Sequence, residues 1–404
     1  MRTTANLKFV YDRREFSTTD RVGISLHCHT QHSREVLDFV PYYASQFPIV
    51  SWLFEQQSRT FERANGKAPN FNLGHWEPPL TGIQLFDSES ESLHSLSLSS
   101  IISITDHDSI SANLEVNESI DNDLAPISLE WTVPFGEAYF HIGVHNLPPS
   151  HARMLSDMLV RFSSAGNGAD TRSLRDLLHL LNEIPEVLVV LNHPFWDIEM
   201  IGQDAHDFNL LSFVAEFGSY IHALELNGFR GWSENKQTIQ LAEDMSLPLI
   251  SGGDRHCLTA NAMINTSRCS SFAEFVDEIR DGHSNIVVLP EYRKPLLHRQ
   301  VRSISQILGT YPNFADDRRH WSQRVYFDAE DGNGATPLSE RWGGKVPRSY
   351  KLALWMFRQL ASPRMMTVFE RVCESDTYAL SEMKLSPASV ELLPNEWRTR
   401  FENI

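Results

Sequence analysis

The chain has 404 residues, 41% of them hydrophobic and 22% charged, with a formal net charge of −17. That charge is uneven: residues 291–404 carry 17 basic against 14 acidic side chains, which leaves 18 against 38 in residues 1–290. A body this acidic repels a long polyanion and argues against a duplex-binding surface, whereas bound divalent cations would reverse the field locally and admit a small anion.

In chain order, MRTTANLKFVYDRREF at the N-terminus lacks the apolar core of a secretory signal, and no segment approaches the roughly 18 apolar residues of a membrane span. The first apolar run is VGISLHCHT (22–30). Residues 38–96 follow, rich in aromatics and ending in the Ser-rich SESESLHSLSLSS, whose leucines keep a helical spacing. This segment reads as an inserted lid or wall, or as simple packing against the main body. Next come IISITDHD (101–108), APISLE (125–130), YFHIGVH (139–145), the helix TRSLRDLLHLLNEI (171–184) and VLVVLNHP (187–194). A helix near 206–217 and the run HALELNG (222–228) precede SENKQTIQLAEDM (233–245), an amphipathic helix with Ser233 as its N-cap. After LPLISGGDRH (247–256), the helix of 270–283 places Phe272, Phe275, Val276 and Ile279 on one face and stops at Gly282; NIVVLP (285–290) closes the series. From about 297 an extension holds helix candidates at 297–308 and 349–374 around the turn-rich DAEDGNGATP (328–337).

Eight short apolar runs with mostly helical connectors predict an α/β fold, a barrel of parallel strands with its chemistry at the carboxyl-terminal strand ends. The link between Glu130 and the run starting at 139 is too short for a helix, so the barrel is expected to be distorted. Cys28, Cys257, Cys269 and Cys373 show no C-x-x-C pairing, and a chain this long needs no disulfide for stability. A reducing, cytoplasmic setting is the expectation.

Five of the runs end in histidines and acids. His27 and His29 lie two apart, so a regular strand turns both to one side, where they can grip one ion. His107 stands between Asp106 and Asp108, either of which could take its second N–H. Asp254 and His256 repeat the alternation, Glu130 ends an apolar run where a lone carboxylate is costly to bury, and Pro194 stops a strand with His193 at its tip. Each motif alone is equally explained by a packed histidine pair or an N-cap aspartate; their recurrence at successive strand tips points to a metal site. His32 and His145 stay undecided. His75, His94, His151, His179, His206, His222, His283, His298 and His320 fall in helices, loops or non-terminal positions and read as solvated or packed.

The order LHCHT…ITDHD…LE…FHIGVH…NHP…GGDRH resembles the PHP (polymerase and histidinol phosphatase) superfamily over roughly residues 20–290. The resemblance implies a distorted seven-stranded, TIM-like (β/α)7 barrel over 20–296, with 38–96 inserted after the first strand and 297–404 as a C-terminal helical extension. It implies two or three divalent metal ions (Zn, Mn or Fe) and hydrolysis of a phosphoester. By position the implied ligands are His27, His29, His107, Glu130, His141, His193, Asp254 and His256, with Glu35 as the ninth. The chain departs from the motifs at Ser25, where Asp is usual, and at Gly252-Gly253-Asp254-Arg255-His256, where GSDAH is usual.

The reaction expected on this basis is hydrolysis of a small phosphorylated metabolite or nucleotide by a hydroxide shared between two cations. Arg34, Arg230 and Arg255 are candidates to clamp the phosphoryl oxygens, Asn227 to bind substrate, and Asp106 or Asp108 to protonate the leaving group. One alternative is a nuclease on short single strands or ends, with the aromatics of 38–96 stacking on bases. Another is a non-catalytic metal-containing binding or regulatory module. The oligomeric state is left open.

Overall fold

The computed structural model describes residues 4–372, apart from 38, 46–47, 167–169, 313, 315–317, 329, 331 and 333. Its strands are β1 (Thr4–Phe9), β2 (Val22–Cys28), β3 (Glu35–Val36), β4 (Gly74–Trp76), β5 (Ser99–Ile104), β6 (Leu129–Phe135) and β7 (Ala138–His145). They continue as β8 (Leu188–Leu191), β9 (Ala223–Asn227), β10 (Leu249–Gly252), β11 (Met263–Ser267), β12 (His283–Val288), β13 (Val325–Asp328) and β14 (Ala335–Pro337). Three sheets result, ordered β1-β12-β11-β2-β5, β10-β9-β8-β7-β6 and β14-β13-β4-β3.

The fold is α/β as expected, but no sheet closes on itself among the described strands, in place of the expected distorted (β/α)7 barrel. The tight turn after β6 forces β6 and β7 antiparallel; β7 with β8, and β11 with both its neighbours, are antiparallel too. The two five-stranded sheets meet through backbone bonds at one end. Gly253 N donates to Leu26 O (2.9 Å), His29 N to Arg255 O (2.8 Å) and Asp108 N to Glu130 O (2.9 Å). Those bonds lie among the expected site residues, so the strand tips are tied to one another where the chemistry is.

Helices cover the sheets with their apolar faces. The helix Phe272–Arg280 buries Phe272, Phe275, Val276 and Ile279 and is capped by Ser271, whose hydroxyl accepts from Glu274 N. The expected cap at Ser233 is displaced. That helix is Trp232–Met245 with Gly231 at the N-cap, because the indole of Trp232 is buried edge-on against Phe9 and fixes the first turn instead. The helix expected from SESESLHSLSLSS is Gly82–His94, closed at its start by a Thr81–Gln84 capping box, while Leu96 and Leu98 are buried beyond its end. The candidate at 349–374 is two helices, Arg348–Leu360 and Pro363–Val372, broken before Pro363. Residues 373–374, with Cys373, lie outside the described residues; Cys28, Cys257 and Cys269 are buried free thiols.

Two pairings had no counterpart in the expectations. β1 adds a parallel edge to β12. β3 and β4, which flank the start and end of much of the 38–96 segment, share a sheet with β13 and β14 of the C-terminal extension, with Trp76 opposite Val325. Part of the insertion and part of the extension therefore share one sheet. No helix among the described residues is long and apolar enough to cross a membrane.

His222 shows how the frame responds to acid. Its Nδ1 accepts from Val189 N (2.9 Å) and its Nε2 faces Asn182 Oδ1 (3.0 Å), while burial, then Arg280, holds its pKa down to about 3. The folded state keeps the ring neutral where the unfolded chain takes a proton. Stability is complete above about pH 6.5 and lost progressively as pH falls toward 3. In urea titrations at pH 7 and pH 4.5, His222→Gln, which preserves an acceptor and a donor, is expected to show a smaller acid-induced drop in midpoint than the parent.

Candidate metal centre

Four residues at the linked strand ends have left-handed backbone: His27 (φ 62°), Asp108 (φ 50°), His193 (φ 26°) and Asp254 (φ 51°). Side chains other than glycine rarely adopt this region, and its concentration at one spot marks strain held by the surroundings. The register between β2 and β5 shifts between Ser25 and Cys28. His27 and His29 therefore reach the same space through a twist at His27, not through the regular alternation expected of a strand.

Glu130, 1% exposed, is the hub. His27 Nε2 lies 3.1 Å from its Oε1, with His141 Nδ1 and His193 Nε2 each 3.2 Å from the same oxygen. On the Oε2 side stand His107 Nδ1 (3.2 Å) and His29 Nε2 (3.4 Å). Glu35, from β3, reaches His256 Nε2 (3.0 Å) and His107 Nε2 (3.2 Å). Asp254 Oδ1 lies 3.4 Å from His256 Nδ1, 3.7 Å from His29 Nε2 and 3.8 Å from His27 Nε2. The structure thus brings together all nine side chains that the resemblance implies as ligands.

These residues form overlapping groups of the size that holds one ion: His29, Glu35, His107 and His256; His27, His29 and Glu130; His107, Glu130 and His141; and His27, His193 and Glu225. The fit to cations rests on orphaned atoms. Buried His27 Nε2, His29 Nε2, His107 Nδ1 and His141 Nδ1 make no hydrogen bond, although all four face Glu130. Imidazole nitrogens left unpaired among buried carboxylates are costly, and divalent cations would satisfy both.

Electrostatics show the same tension in protons. Burial opposes charge on His27 and His107, yet the carboxylates outweigh it, raising His27 well above the ordinary imidazole value and His107 to about 10. Burial lowers His29, helped by the neighbouring His256 and His107, and takes His141 down to about 4. Burial opposes ionisation of Glu130, but His27, His141 and His107 hold it well below the usual carboxylate range.

The other expected site residues divide. Asp108 lines the cavity above the cluster, its Oδ1 accepting from Thr132 N (3.1 Å) and Ser163 Oγ (2.9 Å). Arg34 and Arg230 line the same cavity. Arg230 stacks on Trp196 (4.6 Å) and pairs with Glu234 (2.9 Å), while Trp196 lies edge-on to His193 (4.9 Å). Three candidates are placed elsewhere. Asp106 is fully buried and accepts from Thr30 N and Thr30 Oγ1, which removes it as a proton donor to a ligand. Asn227 is buried in bonds to Glu225 and Phe229, and the Arg255 guanidinium is turned away into a buried ion pair with Glu89. The undecided histidines stay outside the cluster. His32 pairs with Glu115 (3.0 Å), and His145 is buried against Ser103 (2.7 Å).

Two contributors were missed. Ser33 Oγ donates to Glu35 Oε1 (2.6 Å), lies 3.2 Å from His29 Nδ1 and accepts from His107 N (3.1 Å). Glu225 Oε1 sits 2.5 Å from His27 Nδ1, and its Oε2 accepts from His193 N (2.9 Å). A signal for Glu225 existed: a carboxylate inside the otherwise apolar ALELN strand, with Gly252 beside it, where a Cβ would lie 1.6 Å from Glu225 Oε1.

The cluster opens into a cavity of about 1720 Å³. No protein-family model matches the sequence, and no curated protein matches it. Among solved structures, the chain is similar to PsfC from Pseudomonas syringae (11% identity over 71% of this chain and 99% of that one, TM-score 0.42). It is also similar to a two-domain protein from Bacteroides vulgatus containing a predicted PHP-like metal-dependent phosphoesterase (12%, 68% and 68%, TM-score 0.39). A third is an amidohydrolase from Chromobacterium violaceum with bound sulfate and no metal (12%, 63% and 96%, TM-score 0.34). Structures described as PHP-like phosphoesterase and as amidohydrolase are therefore both among those this chain is similar to.

Proposed function

We propose that the chain is a metal-dependent phosphoester hydrolase whose two or three cations are held by His27, His29, Glu35, His107, Glu130, His141, His193, Asp254 and His256. The observation that carries this reading is the set of four orphaned imidazole nitrogens around one buried carboxylate. Divalent cations bound there would supply Lewis acidity toward phosphoryl oxygens and bring the pKa of water toward neutrality, so no Ser or Cys nucleophile is required. Arg230, oriented by Trp196 and Glu234, and Arg34 place positive charge on the cavity wall for the phosphoryl group. Asp108 keeps one oxygen in bonds to Thr132 and Ser163, and its other oxygen is the one to pass a proton to a departing alkoxide. The unit doing this is read as residues 20–296, with 297–404 as an extension of unassigned role.

A cavity of about 1720 Å³ exceeds the roughly 300–1,000 Å³ of ordinary small-molecule sites. That favours a substrate with a bulky leaving group and supports, as a second reading, a nuclease on short single strands. The test is hydrolysis of nucleoside monophosphates, bisphosphates and short oligonucleotides by metal-loaded protein. Activity is expected to vanish with chelator and return with Mn²⁺ or Zn²⁺. A metal-loaded protein that leaves every phosphoester intact but opens cyclic amides or lactones would overturn the phosphoester reading.

A further inference from the structure

The metal centre is backed by a buried polar hub centred on Glu89, a residue outside all the expected ligand motifs. Glu89, on the Gly82–His94 helix, is 1% exposed and accepts from Ser25 Oγ (2.9 Å), Arg255 Nη1 (2.5 Å) and Asn261 N (3.0 Å). Arg255, 4% exposed, donates further to Cys257 O (2.7 Å), Ser88 Oγ (2.9 Å) and Leu258 O (3.2 Å). Asn261 Nδ2 donates to Ser25 Oγ (2.8 Å) and Leu26 O (3.0 Å). A Cβ at Gly253 would lie 1.6 Å from Asn261 Oδ1, so the glycine is what lets Asn261 enter. Ser25 and Arg255, two of the positions where the chain departs from the motifs it resembles, thus meet on one carboxylate.

The hub sits directly behind four ligand positions. Arg255 N donates to His27 O (3.2 Å) and His29 N donates to Arg255 O (2.8 Å), so the backbone of residue 255 is zipped between the two histidines. Its chain neighbours are Asp254 and His256. His27 and Asp254 hold left-handed backbone, which persists only where surrounding bonds over-determine it. Fixing the Arg255 side chain to a helix fixes the strand ends that carry His27, His29, Asp254 and His256.

We propose that Glu89 and Arg255 are a positioning pair that sets the cation affinity of the centre, coupling it to the inserted 38–96 segment. The inference rests on the metal reading above. Partners behind metal ligands typically govern affinity by about 10–100-fold, and a paired buried carboxylate and guanidinium give direction as well as charge.

The experiment is a titration of metal-free full-length protein with Mn²⁺ and Co²⁺, followed by calorimetry and by the Co²⁺ visible spectrum, alongside thermal melts. Glu89→Gln and Arg255→Met are expected to weaken binding about 10–100-fold and to alter the Co²⁺ band while melting cooperatively. Arg255→Lys, which restores the charge without the fork, should recover part of the affinity lost in Arg255→Met. Leu178→Ala, a buried truncation in a distant helix, should lower the melting temperature and leave affinity and spectrum unchanged. If either single variant fails to fold, the double Glu89→Gln/Arg255→Met removes both charges together and is read in the same way. Wild-type affinity and spectrum in these variants would overturn the positioning role, as would an affinity loss matched by Leu178→Ala. A wild-type chain that takes up no cation overturns the metal centre itself, and this inference with it.

Discussion

Glu130→Gln is expected to lose at least ~100-fold in cation affinity, beyond the usual cost of losing a partner behind a ligand, and to lose metal-dependent turnover with it. The substitution is nearly isosteric. The bond from Asn192 Nδ2 (2.9 Å) survives on the remaining amide oxygen, so β6 and β8 stay tied. What disappears is the one charge that faces five imidazoles from both of its oxygens. Without it, all four ion-sized groups change: two lose their carboxylate, and the other two, His27 with His193 and Glu225 and His29 with Glu35, His107 and His256, lose the charge beside their rings. Metal content after dialysis against buffered Mn²⁺ or Zn²⁺ checks the prediction, with circular dichroism to show an intact fold. A Glu130→Gln protein carrying the parent's full complement of metal would remove Glu130 from the ligand set.

Most of the ligand motifs were legible because they sit at or near strand ends, where the chain leaves the core and polar side chains are tolerated; His141, in the middle of β7, is the exception. Which side of the tip a residue faces was only partly legible. Alternation alone sends Arg255 away from Asp254 and His256, and Asp106 away from His107, and both do turn away. Asp108 escapes the rule because its left-handed backbone re-aims it toward the cavity, a twist no residue type announces. Ser33 and Glu89 were hidden for another reason. Ser33 bonds Glu35 and His29 nearby but gains its third partner, His107, 74 residues on, and 166 residues separate Glu89 from Arg255. The same holds for the sheet joining β4 to β13. Its short strands carry no periodicity strong enough to reveal that Glu35, at one edge, depends on a C-terminal extension for its frame.

Glu225 supplies the second large effect. It is buried in β9, where an unpartnered carboxylate would be expensive, and it answers that cost through His27 Nδ1, His193 N and Asn227 Nδ2. Accepting from His27 Nδ1 makes that nitrogen a proton carrier, so a bound cation would find the Nε2 lone pair on the side of Glu130 and Asp254. Glu225→Gln retains an acceptor oxygen and should weaken cation binding about 10-fold; Glu225→Ala should weaken it about 100-fold. The alanine variant also leaves the buried His193 N and Asn227 Nδ2 without a partner, a further loss of about 1–3 kcal/mol in folding stability. Because Glu225 lies within ligand distance of His27 and His193, saturation distinguishes an anchor from a ligand. An anchor lowers affinity while the number of ions bound at high metal stays that of the parent. If Glu225 were itself a ligand, both variants would saturate one ion short, and the graded order of Gln above Ala would collapse.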